Sequence, residues 1–200
     1  IPLVLLGVSV VSIVRVCQIP SRRLVPRTVR FQVSSGRPFA SILVLCTASI
    51  FIRSYVGSVL PMPWKTSVLL MLLPAATACL GKAGGGWLAD RFGARRIGVG
   101  SLLVSLPLLV LGTPYPAVSV AGILAFNMSM SITLCAIFSE LPDHPGLSFG
   151  LTTLALVAGT LPTGFFALPA AFAQPILFAC ILLSALCLFF AVSNAPGGVK

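Results

Sequence analysis

Six apolar runs, each closed by a short polar or proline-containing break, leave this 200-residue chain little freedom to fold as a water-soluble domain. They cover 39–61, 67–85, 97–112, 117–138, 147–167 and 171–192, and a further apolar stretch occupies 1–20. A backbone inside hydrocarbon must satisfy its own N–H and C=O groups, so runs of this kind fold as helices. Composition points the same way: 58% of residues are hydrophobic and 8% charged, against about 25% charged in an ordinary soluble domain.

The few charges are distributed unevenly. Lys and Arg number 13 against 3 Asp and Glu, a formal net charge of +10, and they cluster between the apolar runs. That pattern orients a protein in a membrane and gives no support to a nucleic-acid partner. Segment 21–38 holds Arg22, Arg23, Arg27, Arg30 and Arg37 with no acid, the composition of a cytoplasmic loop. With that loop inside, Arg91, Arg95, Arg96 and Lys200 fall inside too, and Lys65 outside. The expected architecture is all-α and polytopic, in the cell membrane. A partial helix at 1–20 leads to a basic cytoplasmic loop at 21–38, a six-helix transmembrane bundle at 39–192 and a cytoplasmic tail at 193–200. The chain opens on Ile1 without an initiator Met or a charged leader, which reads as a truncated start rather than a signal peptide. All six cysteines lie in apolar runs, with no C-x-x-C and no nearby His. They read as buried, small apolar residues, and no metal or other cofactor is expected.

The second break reads Gly86-Trp87-Leu88-Ala89-Asp90-Arg91-Phe92-Gly93-Ala94-Arg95-Arg96, expected as a short loop. Gly86 and Gly93 would let helix ends approach a neighbour closely, since neither carries a Cβ. Asp90 offers a carboxylate to the positive N-terminal end of an adjacent helix. Arg91, Arg95 and Arg96 suit acids or lipid phosphates at the interface. The segment matches G-x-x-x-D-R-x-G-x-R-R at every fixed position and resembles the signature loop of the major facilitator superfamily. The resemblance implies a transporter of two six-helix halves joined by a basic cytoplasmic loop. Under it the chain corresponds to the C-terminal half, from the end of helix six to helix twelve, and its partner is a missing N-terminal half or a second copy. It also implies that Asp90 docks on a helix end of that other half, and that Glu140 pairs with Arg91 or Arg95. The sugar-porter signature is absent after the partial helix, and the spacing of Gly150, Gly159 and Thr163 is read as helix packing.

Arg53 stands fourteen residues into the run that begins at Phe39, about 21 Å along a helix in a core about 30 Å thick. An arginine at that depth costs roughly 2.5 to 3.5 kcal/mol. It either faces a wet cavity with an anionic partner or snorkels to the outer surface past Gly57 and Ser58. Tyr55 accompanies it with a hydroxyl. Lys82 is expected near a cytoplasmic helix end. Asn127, Ser131 and Cys135 recur every four residues on one face of the fourth run, which suits either substrate contact or bonding between helices. The acids Asp90, Glu140 and Asp143 all lie at the breaks, leaving no intramembrane carboxylate to carry a coupling proton.

The resemblance implies a secondary transporter that moves a small solute by alternating access, either uptake or efflux, and Arg53 tilts the expected solute toward an organic anion or a drug-like compound. Arg53, Tyr55, Asn127 and Ser131 are the candidate solute contacts, and Gly86 to Arg96 with Glu140 form a gating motif. A membrane enzyme is the alternative, for which His144 beside Asp143 is the only available pair. A non-transporting remnant or partner protein is the other.

Overall fold

The computed structural model describes residues 38–141, 143–165 and 170–192, and within them the secondary structure is helical with no strand. The partial helix at 1–20, the basic loop up to residue 37 and the tail at 193–200 lie outside the described residues. Six helices follow one another: α1 (Phe39–Val59), α2 (Val68–Phe92), α3 (Ala94–Leu111), α4 (Pro116–Glu140), α5 (Pro145–Phe165) and α6 (Ala170–Ala191). Segments Phe39–Val59, Ala94–Leu111, Pro116–Glu140, Pro145–Phe165 and Phe172–Ala191 are long and apolar enough to cross a membrane. The expected all-helical, multi-pass bundle is the fold.

Local chemistry sets the helix starts. Ser67 caps α2 by accepting the Leu70 amide at 3.4 Å, and α4 and α5 each begin on a proline, whose missing N–H costs nothing in a first turn. Pro74, Pro107, Pro162 and Pro175 lie inside helices, which membrane bundles tolerate when neighbours re-satisfy the freed carbonyls.

Packing inverts the habit of soluble proteins. Ser49, Ser105, Ser129, Thr133 and Ser184 are fully buried, while Val44, Leu80, Leu154 and Phe149 are exposed. Small residues let helix backbones approach, and large apolar side chains face outward as they would toward lipid. Helix α4 is the hub, touching α1, α2, α3 and α5, and α1 also packs on α5 and α6. Ser49 on α1 shares a hydrogen bond with Ser184 on α6 at 2.8 Å, and the Ser54 hydroxyl donates to the Leu156 carbonyl of α5 at 2.6 Å.

The structure departs from the sequence reading at three places. The segment beginning at Gly86 is not a loop: α2 continues through Phe92 and breaks only at Gly93, whose φ of 95° is the left-handed conformation that favours glycine. Lys82 consequently sits ten residues before the end of α2, about 15 Å from it, and not at a helix end. Trp64, in the turn between α1 and α2, is 8% exposed and packs with the core. Of the described cysteines only Cys46 is buried, and Cys79 is exposed.

Candidate functional site

Two polar residues four apart on α4, Ser129 and Thr133, turn toward α1 and meet Arg53 there. The Arg53 Nη1 group donates to the Ser129 hydroxyl, and Nη2 donates to Thr133 Oγ1 at 2.7 Å and to Met130 Sδ at 3.4 Å. Both hydroxyls in turn donate to carbonyls of their own helix, Ser129 to Phe126 at 2.9 Å and Thr133 to Met130 at 2.9 Å. Their lone pairs are thereby turned toward the guanidinium. Arg53 is 4% exposed. Its side chain therefore crosses to α4 inside the bundle and does not snorkel outward past Gly57 and Ser58. An arginine stays protonated in such a place, and no carboxylate is among its bonded partners. Its Nε–H is buried without any partner.

Beside Arg53 opens a cavity of about 330 Å³ between α1, α2 and α4. Its polar lining comes from Arg53, Ser54, Lys65, Lys82 and Asn127, and its apolar lining includes Leu109, Phe126 and Leu156. Pro74 and Ala75 of α2 also line it. No acid is among the lining residues, so three cations face one space without a counter-charge. Opposite charge introduced there is favoured twice, by Coulomb attraction in a poorly polarisable wall and by hydrogen bonding to donors already in place.

Of the four residues expected at a solute site, the structure brings Arg53 and Asn127 together at this cavity, and Tyr55 and Ser131 do not line it. The Asn127 side-chain amide donates to the Ile123 carbonyl at 2.9 Å, a bond within its own helix. Ser131 donates to the Met128 carbonyl at 3.1 Å and stands opposite Gly86 of α2, so it belongs to the helix contact. Sequence reasoning missed Lys82, Lys65 and the pair that holds Arg53. The Ser129–Thr133 spacing was a readable signal, because residues four apart on a helix share a face. Lys82 became legible only once α2 was seen to run on to Phe92.

The segment Gly86 to Arg96 holds a second set of contacts. Arg91 lies over the rings of Trp87 and Phe92, at 5.9 and 5.7 Å, and Arg95 stacks 3.6 Å from the Phe189 ring of α6. Such cation–ring contacts tie the α2–α3 hairpin down at the end where α6 finishes. Glu140 is half-buried at the end of α4, and among the described residues no ion pair joins it to Arg91 or Arg95, contrary to the pairing the resemblance implied. Asp90 and Arg96 are exposed. The glycines that bring helices into contact are not Gly86 and Gly93. A Cβ on Gly85 would fall 2.1 Å from the Met128 carbonyl oxygen and one on Gly81 would fall 2.6 Å from that of Leu124, whereas at Gly93 it would meet nothing within 4 Å. Gly159 does pack as expected against α1, where a Cβ would fall 2.4 Å from the Phe51 carbonyl oxygen, and a Cβ on Gly150 would meet nothing within 4 Å.

No protein-family model, curated protein or solved structure matches the chain. Among the described residues no three His, Cys, Asp or Glu side chains are placed to hold a metal ion.

Proposed function

We propose that this chain is half of a secondary transporter of the major facilitator type, carrying a small organic anion across the cell membrane by alternating access. The observation that carries the reading is the basic, acid-free cavity beside the central helices α1 and α4, with Arg53 at its wall. A charge that deep in an apolar bundle has a cost of several kcal/mol, which is retained where a passing ligand needs it. The hairpin Gly86 to Arg96, rigid up to Gly93 and pinned by Arg95 on Phe189, supports the same reading as a lever at one end of the bundle. That end carries Arg91, Arg95 and Arg96, against Lys65 at the other, which favours placing it and the C-terminus in the cytoplasm. A second six-helix unit, an N-terminal half or another copy, closes the pathway.

Counterflow tests this. Vesicles reconstituted with the protein together with the second six-helix unit, and loaded with a mixture of unlabelled organic acids, should accumulate a labelled acid from outside. Arg53→Gln should abolish the accumulation while the protein still inserts. Unchanged accumulation of every anion in Arg53→Gln would end the proposal.

A further inference from the structure

The transport reading leaves open how many negative charges the cargo carries, and the cavity's own charges narrow it. Arg53 and Lys82 project from different helices, α1 and α2, onto one space of about 330 Å³, and Lys65 joins them from the turn between those helices. Arg53 has its two terminal nitrogens occupied by Ser129, Met130 and Thr133, so its charge is fixed in position while its Nε–H has no acceptor. Lys82 differs: it lines the cavity but is itself exposed, carries three rotatable donors on a flexible stem, and lies more than two helical turns from either end of α2. A ligand with one negative charge would satisfy one of the three cations and leave two beside an apolar wall made by Leu109, Phe126 and Leu156. A ligand with two separated negative charges engages two of the three at once, and its apolar middle would rest on that wall.

From this geometry we propose that the cavity binds a small organic dianion, one anionic group held at Arg53 and the other at Lys82. This rests on the reading of the cavity as the cargo site. Lys82 is then the specificity residue: it touches the second charge and separates dianions from monoanions. Asn127 of α4 lines the same cavity and supplies a polar contact there. A cavity of this size suits a ligand of small organic-acid dimensions.

Binding is measured on the purified chain in lipid nanodiscs by isothermal titration. The probes are the linear α,ω-dicarboxylates of four to eight carbons, each beside the monocarboxylate of equal length. At least one dicarboxylate should bind about tenfold or more tightly than its matched monocarboxylate, one good charge-assisted contact being worth that much. Lys82→Gln should remove this preference and leave monocarboxylate affinity within about threefold. Lys82 is exposed and bonded to no core group, so this variant should fold, and Lys82→Arg should restore the preference. Equal affinity for mono- and dicarboxylates, no binding of any diacid, or a preference that survives Lys82→Gln would each overturn the proposal. Counterflow separates the two readings: dicarboxylate binding without counterflow leaves the dianion site standing and removes the transporter, whereas counterflow with no preference for diacids does the reverse.

Discussion

Helix α4 meets its two neighbours in opposite ways. Toward α2 it presents bare backbone: Gly81 and Gly85, four residues apart, seat against the carbonyls of Leu124 and Met128 with no room for a methyl group. Toward α1 it presents side chains, and the contact is made by an arginine lying across Ser129, Met130 and Thr133. The glycine contact gains dispersion and excludes everything, including ligand. The arginine contact holds two helices together across a gap and leaves the cavity beside it. One helix thus has a face that fixes the bundle and a face that can answer to an anion, and the difference is set by whether the facing residue has no side chain or a long charged one.

The largest effect should come from breaking the first face. Gly85→Leu must push α2 away from α4, because its first side-chain atom alone would stand 2.1 Å from the Met128 oxygen and 2.6 Å from the Met128 Cα. A loss of about 4 kcal/mol or more is expected, read as a collapse of the melting temperature in detergent or as failure to assemble. Melting within a few degrees of the parent would show that the two helices are not in backbone contact.

Weakening the second face should do less and do it selectively. Ser129→Ala with Thr133→Val removes two acceptors from a buried cation and leaves it the Met130 sulfur, a cost of about 2 kcal/mol. Repeating the pair in an Arg53→Met background should cost much less, since both hydroxyls already have carbonyl partners on their own helix and nothing is left unsatisfied. The double-mutant cycle by thermal melting isolates that coupling; additive effects would mean that Arg53 draws nothing from α4.

The sequence made the helices legible because long apolar runs decide them, and each of the six helices among the described residues falls on one of the six runs. It made Arg53 legible because charge inside an apolar run has to be explained. It hid the close approaches. Two glycines flanking a turn signal in Gly86 to Arg96 drew attention to that segment, while the pair that matters, Gly81 and Gly85, lies just before it in a stretch that reads as ordinary helix. Glycine spacing shows that a close approach is available, not which neighbour takes it. Only the position of Met128 and Leu124 on α4 settles that. The end of α2 was misplaced for a related reason: Gly84, Gly85 and Gly86 look like a helix breaker by propensity, yet packing against α4 over Gly81 to Gly86 outweighs the propensity deficit. An end placed at Gly85 puts Lys82 near a cytoplasmic helix end and away from the cavity that it lines.

The smallest expected effect is the sharpest test of that misplacement. Gly86 is the first fixed residue of the matched pattern, and a loop reading makes it indispensable. In the structure it is helical, and a Cβ built on it would stand 3.9 Å from Ser131, ordinary van der Waals contact with no backbone in the way. Gly86→Ala should therefore be tolerated and even raise stability by about 0.5 kcal/mol, because alanine loses less backbone freedom than glycine on entering a helix. Gly84→Ala, where a Cβ meets nothing within 4 Å, should behave alike. Melting of Gly84→Ala, Gly85→Ala and Gly86→Ala side by side should give a gain, a clear loss and a gain. A loss at Gly86 as large as at Gly85 would mean that α2 has turned about its axis relative to this arrangement, moving Lys82 off the cavity and the arginines of the hairpin off Phe189 with it.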